Sequence, residues 1–231
     1  MTQRLAVIPA RAGSKRIKDK NIREFCGKPM ISHILDAAKK SSLFHKIHVS
    51  TESRMIEDIV KNLGYEIDFL RDSALADDHT GLLDVLSFVI EKYTLLGEAY
   101  DEVWMLMATA PLVSKDDLKS ASKAYLSSDS DAPLKAITSF SIPIEWAETL
   151  DERSALEPVN KDALKVRSQD FEKKYYDAGL FYIYSIKDIQ TFTKNKNLNY
   201  QGFIMPKIKS VDIDDLEDWQ IAESFFKSLY S

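Results

Sequence analysis

The chain is poor in cysteine, in glycine and in unbroken apolar stretches, and each shortage excludes something. A single cysteine, Cys26, in 231 residues can form no internal disulfide and cannot build a multi-cysteine zinc or iron–sulfur site, so a reducing cytoplasm is the expected compartment. The seven glycines make neither the Gly-x-Gly-x-x-Gly dinucleotide fingerprint nor a Gly-x-x-x-x-Gly-Lys-Ser/Thr phosphate loop. The apolar start Leu5–Ala10 is stopped by Arg11, too short for a signal-peptide core or a membrane span, and no membrane partner is expected. Basic charge is not in surplus either. The 31 Lys and Arg face 36 Asp and Glu, net −5, so no global field holds nucleic acid and any anion site has to be local. What the chain does have is 45% hydrophobic residues over a length suited to one domain spanning residues 1–231.

Those apolar residues alternate between two periods. Leu5–Ile8, Ile47–Val49, Glu66–Leu70 and Val103–Met107 read as strands. Between them, Ile31/Ile34/Leu35/Ala38, Ile56/Ile59/Val60/Leu63 and Leu86/Val89/Ile90/Tyr93 each share a helical face, as do Leu118/Ala121/Tyr125 after an N-capping Ser114. The second helix is expected to stop at Gly64. Strands alternating with helices predict an α/β fold, a mostly parallel sheet flanked by helices on both faces. The alternation fails after the strand Ala136–Phe140. From 142 to 177 an irregular charged stretch carries Trp146 and Phe171, which look exposed, before an aromatic strand at Leu180–Tyr184. A segment this long without periodicity predicts an inserted arm, with contact between two subunits as its expected use. Asn195–Asn199 reads as a surface loop and Leu216–Tyr230 as a closing helix.

Chemistry concentrates at the two ends. From Arg11 to Lys28 seven basic residues face only Asp19 and Glu24, directly after the first strand, where open α/β sheets bind ligands. Gly13 and Ser14 let backbone amides approach an anion while Arg11, Lys15 and Lys20 supply charge, so phosphate is the expected guest; a merely solvated loop is the competing reading. Near the other end, Asp212 and Asp214 lie two apart on an extended segment, which puts both carboxylates on one side. Paired hard oxygens suit Mg²⁺, with helix capping as the competing role. Asp215, Glu217 and Asp218 precede or open a helix and are expected to serve its N-terminus. His33 and His48 are expected to bond nearby polar groups, and Cys26 to pack as a small hydrophobe; His79 is the one histidine placed to meet a ligand.

At this point the residues resemble a family. Pro9-Ala10-Arg11-Ala12-Gly13-Ser14-Lys15 with Lys20-Asn21, the Phe25–Met30 segment, Arg71 with Leu75–Thr80, and Asp212-Ile213-Asp214 are similar to the cytidylyltransferases that activate nonulosonic acids, the CMP-sialic acid synthetase superfamily. The resemblance covers nearly the whole chain. It implies a Rossmann-like fold of the nucleotide-diphospho-sugar transferase type with a dimerisation arm, a homodimer, and Mg²⁺-dependent transfer of CMP from CTP to a sugar acid. Carried over by position, Arg11, Ala12, Gly13, Ser14 and Lys20 would hold the triphosphate and Asn21 the ribose or phosphate edge, while Arg11, Lys15 and Lys20 would stabilise charge building on the α-phosphate and leaving group. Arg71 with Ala76 and Asp78 would hold the cytosine, and Asp212 and Asp214 the metal. Two segments, Leu106–Val113 and Arg167–Tyr182, depart from the sialic acid enzymes and resemble the branch that acts on pseudaminic acid. There Met107, Thr109, Arg167, Gln169, Asp170, Tyr176 and Asp177 would face the sugar, with Ala108 and Val113 making its pocket less polar. A synthetase for CMP-sialic or CMP-3-deoxy-octulosonic acid is the nearest alternative, and a silent nucleotide-sugar sensor the alternative of another class.

Overall fold

The computed structural model describes residues 2–77, 80–128, 130–195 and 198–230. Leu5, Ala6, Val7 and Ile8 are wholly buried because β1 (Arg4–Pro9) runs through the middle of the sheet with apolar layers on both faces. The chain continues through a two-rung hairpin, β2 (Glu24–Phe25) and β3 (Lys28–Pro29), into α1 (Met30–Ser41), β4 (Lys46–Ser50), α2 (Arg54–Asn62), α3 (Leu82–Leu95), β5 (Glu102–Leu106) and α4 (Lys115–Ser127). Then come β6 (Leu134–Ser139), the short pair β7 (Glu148–Leu150) and β8 (Leu156–Pro158), β9 (Tyr175–Ser185), α5 (Ile186–Asn195), β10 (Gln201–Ile204) and α6 (Leu216–Tyr230). Capping is written locally. The Ser114 hydroxyl accepts the Asp117 N–H at 3.3 Å while the Asp117 carboxylate takes the Ser114 N–H at 2.8 Å, a reciprocal box at the start of α4.

The central sheet has the order β10-β6-β9-β5-β1-β4. β1 is parallel to β4 and β5, β6 is parallel to β10, and β9 runs antiparallel between β5 and β6. Alternate side chains of β1 serve different layers. Ala6 and Ile8 join Ile31, Ile34 and Leu35 of α1 and Leu118 of α4, whereas Leu5 and Val7 join Leu86, Val89 and Tyr93 of α3. The expected α/β sheet covered on both faces is therefore present.

A third cluster lies off the end of the sheet and joins the chain's two ends. Ile17 from the basic loop and Ile213 from between the two aspartates pack with Phe25, Met30, Trp219 and Ala222. Phe25 meets Trp219 edge to face at 5.4 Å between ring centroids, and the Arg23 guanidinium lies 5.3 Å above the Trp219 ring. Burial of an isoleucine contributes about 1.5–3 kcal/mol, so this small cluster is enough to hold two loops that lack any ladder between them.

Four expectations need correction. Glu66–Leu70 forms no strand: beyond β4 its backbone is tied at Arg71, whose N–H donates to the Thr51 carbonyl at 2.8 Å, and Asp68 is drawn into an ion pair with Lys46 at 2.6 Å instead. The helix α5 and the strand β10 were not anticipated; α5 is a short element whose Ile189 packs beneath α3. The aromatic strand begins at Tyr175, inside the expected arm, which leaves residues 142–174 outside the sheet. Trp146 and Phe171 are half-buried against each other at 6.1 Å, and the Trp146 indole donates to the Ala163 carbonyl at 3.0 Å. The arm's exposed apolar side chains are aliphatic ones, Ile142, Leu150, Leu156 and Val159 among them. Asn195–Asn199 lies partly outside the described residues, α5 taking in Asn195.

Candidate active site

At the carboxyl ends of β1 and β5 lies a cleft of about 540 Å³. Its walls include Arg11, Ser14, Lys15, Lys20, Asn21, Arg71, Met107, Thr109 and Asp214, so nine of the residues singled out from sequence converge there. Arg16, Asp77 and Thr80 line it too. A larger hollow of about 640 Å³ between α3 and α5 is lined by Ile90, Leu95, Ile186 and Ile189 with one charged residue, Glu91, and offers no grouping of reactive side chains.

The basic loop is folded from within. Gly13 has φ +82°, a left-handed conformation that side-chain-bearing residues resist, and it turns the chain at the mouth of the cleft. The Asn21 side-chain amide donates to the Arg11 carbonyl at 3.0 Å and the Asn21 main-chain carbonyl accepts the Ile31 N–H at 2.9 Å, closing the loop onto the start of α1. Arg11 reaches the opposite wall, donating to the Asp77 carbonyl at 2.9 Å and the Ala76 carbonyl at 3.5 Å. Ala76 thus meets the cleft through Arg11. Asp78 and His79 lie outside the described residues.

Two charged side chains fasten the loop to the aspartate segment, Lys20 and Asp214 standing 194 residues apart in sequence. Lys20 Nζ donates to the Ile213 carbonyl at 2.6 Å and stands 3.5 Å from Asp214, and Arg16 pairs with Asp214 at 2.9 Å. Asp212 and Asp214 flank buried Ile213. Burial raises the Asp212 carboxyl above the ordinary aspartate range, and the neighbouring charge of Asp214 adds to that rise. Neither aspartate's carboxylate caps α6. That work falls to Asp215, which accepts the Glu217 and Asp218 N–H groups at 2.9 and 3.0 Å, and to Asp218, which takes the Asp214 and Asp215 N–H groups at 2.9 and 3.1 Å. Among the described residues no cluster of three or more His, Cys, Asp or Glu could hold a metal. A pair of repelling carboxylates beside a cleft lined by cationic side chains nevertheless has the donor chemistry of a hard divalent cation site, which takes one or two protein carboxylates and completes its shell with other oxygens.

The residues expected at the sugar end do not all converge. Arg167, Gln169 and Asp170 lie in the arm, where the Arg167 guanidinium bridges Asp170 at 2.9 and 3.2 Å, and none of the three lines the cleft. Tyr176 packs its ring 4.8 Å from Phe140. Asp177 accepts the Gly179 N–H and the Tyr182 hydroxyl, both at 3.0 Å, at an irregularity in the pairing of β6 with β9 where Gly179 takes φ +62°. Ala108 and Val113 are buried in the core, so the apolar character expected of them does not reach the cleft; Met107 and Thr109 do.

One acidic residue was missed. Glu52 follows β4 and bridges the two walls: its Oε1 accepts the Ala12 N–H at 2.7 Å and its Oε2 accepts the Arg71 Nη2 at 2.8 Å. Its position just past a strand's carboxyl end, where such sheets bind ligands, was a signal in the sequence. The remaining candidates behave as structure. His33 bonds the Phe25 carbonyl at 2.9 Å, and His48 meets the Tyr93 hydroxyl at 3.1 Å, its pKa lowered by burial to about 4 and therefore neutral. Burial pushes the Cys26 thiol up, away from a reactive thiolate, and it packs on the third cluster.

Residues 5–225 match the family described as cytidylyltransferase. The chain is 35% identical over 223 residues to a pseudaminic acid cytidylyltransferase of Campylobacter jejuni, covering 96% of each chain. It is 29% identical over 229 residues to a CMP-N,N'-diacetyllegionaminic acid synthase of Legionella pneumophila, again with 96% of each covered. Among solved structures, a CMP:2-keto-3-deoxy-manno-octonic acid synthetase complexed with CTP superposes with a TM-score of 0.74 over 98% of this chain and 99% of the other, at 17% identity.

Proposed function

The chain belongs to the cytidylyltransferase family, and from that premise we propose that it condenses CTP with a nonulosonic acid, pseudaminic acid first among them, releasing pyrophosphate. The observation that carries the reading is the third cluster, which packs Ile17 on Ile213 and so sets a cationic loop against paired carboxylates at one end of a sheet cleft. A phosphate-binding loop alone would bind a nucleotide; the aspartates beside it suit a metal-assisted transfer.

The reaction needs little covalent help. The anomeric hydroxyl of the acid attacks the α-phosphorus in line, the bond to the β-phosphate oxygen breaks, and the rate comes from positioning and charge neutralisation. Arg11, Lys15 and Lys20, with the Gly13–Ser14 turn, face the triphosphate and offset charge growing on the leaving pyrophosphate. Asn21 keeps the loop closed, and Arg71, on the cleft wall with Leu75 and Asp77, would face the base. Asp212 and Asp214 would hold Mg²⁺, which when bound neutralises phosphate oxygens. Met107 and Thr109 stand where the acid would enter. The arm supplies the rest. Its exposed aliphatic side chains suit burial against a second copy, and a homodimer would carry Arg167, Gln169, Asp170 and Tyr176 toward an acceptor carboxylate and its hydroxyls. A cytoplasmic setting agrees with the lone, unpaired cysteine.

The test is a reaction with CTP, Mg²⁺ and two competing acids, pseudaminic and N-acetylneuraminic, the CMP products being resolved by mass. Pseudaminic product in excess, by about a hundredfold at the upper range of pocket discrimination, is expected. Equal or greater sialic product would overturn the choice of sugar, and no pyrophosphate release with any nonulosonic acid would overturn the reaction.

A further inference from the structure

Glu52 occupies a place that the reaction does not use directly and that the fold creates deliberately. β4 lies parallel beside β1, with Ser50 opposite Pro9, and the Ala10 N–H donates to the Ser50 carbonyl at 2.9 Å. The two strands therefore end together. Thr51 and Ser53 then fix the turn: the Ser53 N–H donates to the Thr51 hydroxyl at 3.1 Å, and the Ser53 side chain caps α2. Glu52 is left projecting between the phosphate-side loop and Arg71, with one carboxylate oxygen committed to each. Arg71 is itself buried, its own N–H held by the Thr51 carbonyl, and its Nε has no acceptor among the described residues although the residue lines the cleft. The buried guanidinium is thus anchored through Nη2 at one end and retains donor capacity.

Resting on the reading that Arg71 faces the nucleobase, we propose that Glu52 is a positioning residue that sets the base-reading arginine and the phosphate loop in one register. Arginine only donates hydrogen bonds. Cytosine offers two adjacent acceptors, O2 and N3, where uracil carries an N3–H donor, so a guanidinium held rigidly favours cytosine and one free to swing discriminates less. The Ala12 amide, tied to the same carboxylate, sets the origin of the loop that meets the phosphates. Both arms need a carboxylate. Glutamine at position 52 has one acceptor oxygen and must turn its NH₂ toward either the Ala12 N–H or the Arg71 guanidinium, so one arm is lost in either orientation.

The experiment is calorimetric titration of CTP and UTP, with Mg²⁺ present, into the wild type, Glu52→Gln and Glu52→Asp, after circular dichroism has established which variants are folded. The wild type is expected to prefer CTP, and Glu52→Gln to lower the CTP-to-UTP affinity ratio by at least fivefold and to weaken CTP itself about tenfold. A Glu52 that only stabilises the fold would lower the melting temperature and leave that ratio intact, and an intact ratio in folded Glu52→Gln overturns the proposal. Should Glu52→Gln fail to fold, Glu52→Asp decides it: the charge remains but the shorter side chain cannot span both partners, so the ratio must fall, and an unaltered ratio overturns the proposal. A wild type that binds neither nucleotide overturns the cytidylyltransfer reading and this inference with it, whereas CTP-selective wild type with an unmoved variant sinks only the inference.

Discussion

The cleft and the arm spend their charges in opposite ways. Around the cleft, ion pairs and hydrogen bonds span long stretches of chain: Lys20 and Arg16 reach Asp214, Arg71 reaches Glu52, and Arg11 reaches the Asp77 carbonyl. In the arm the pairs are local, Lys165 with Asp162, Arg167 with Asp170 and Lys174 with Glu172, while the aliphatic side chains stay exposed. Local pairs on a solvated surface stabilise little, between about 0 and 1 kcal/mol each, so they give the arm shape without anchoring it. The difference teaches that the cleft is tied together by long-range contacts of this chain, whereas the arm keeps its charges local and its aliphatic side chains exposed, which suits the proposed contact with a second copy.

The comparison can be broken most severely at the aspartates. Replacing Asp212 by Asn should cut turnover on the order of a hundredfold with the fold intact, because a neutral amide is a poorer ligand for a hard cation and one pre-set charge in a transfer site carries that scale of rate. Steady-state rates with subsaturating Mg²⁺, alongside circular dichroism, check this; near-wild-type turnover would mean that the pair holds no metal. Next comes the joint between the two ends. Ile213→Ala removes packing from the third cluster and should cost about 2–5 kcal/mol in unfolding free energy. Urea denaturation measures that cost, and turnover should fall with it as the loop and the aspartates part.

Third, Arg11→Ala should lower CTP-supported turnover at least tenfold, a charge-assisted phosphate contact contributing about 1.5–3 kcal/mol. Unaltered initial rates and unaltered CTP calorimetry together would reduce the basic loop to a solvated surface. The smallest effect on nucleotide binding is expected from the arm. Val159→Asp with Leu150→Asp should shift the particle from dimer to monomer in light scattering, lower the turnover of the sugar acid, and leave CTP affinity within about twofold, since exposed arm positions touch nothing in the cleft. A monomeric wild type at micromolar concentration would turn the arm into a lid.

Much of this was legible because local patterns report local burial. The uninterrupted run Leu5–Ile8 reads as a strand covered on both faces and is one, the helical stripes face a layer, and the seven basic residues after that strand come to a cleft at its carboxyl end. Ser114, Asp215 and Asp218 showed their capping roles through spacing that acts within one turn. Glu66–Leu70 looked like a strand by the same local rule and was not one: β4 is the edge strand of the sheet, yet the ties beside it are single contacts at Arg71 and Asp68 rather than a ladder.

What no local pattern contained is the meeting of distant segments. That Ile17 would pack on Ile213, that β9 would run antiparallel between β5 and β6, and that Glu52 would reach both Ala12 and Arg71 were decided only when the strands took their order in the sheet. Periodicity states which side of an element seeks burial. It cannot state against which other element, since many apolar faces are interchangeable in hydrophobic energy and the choice among them falls to shape, strand order and loop length, properties of the folded chain as a whole.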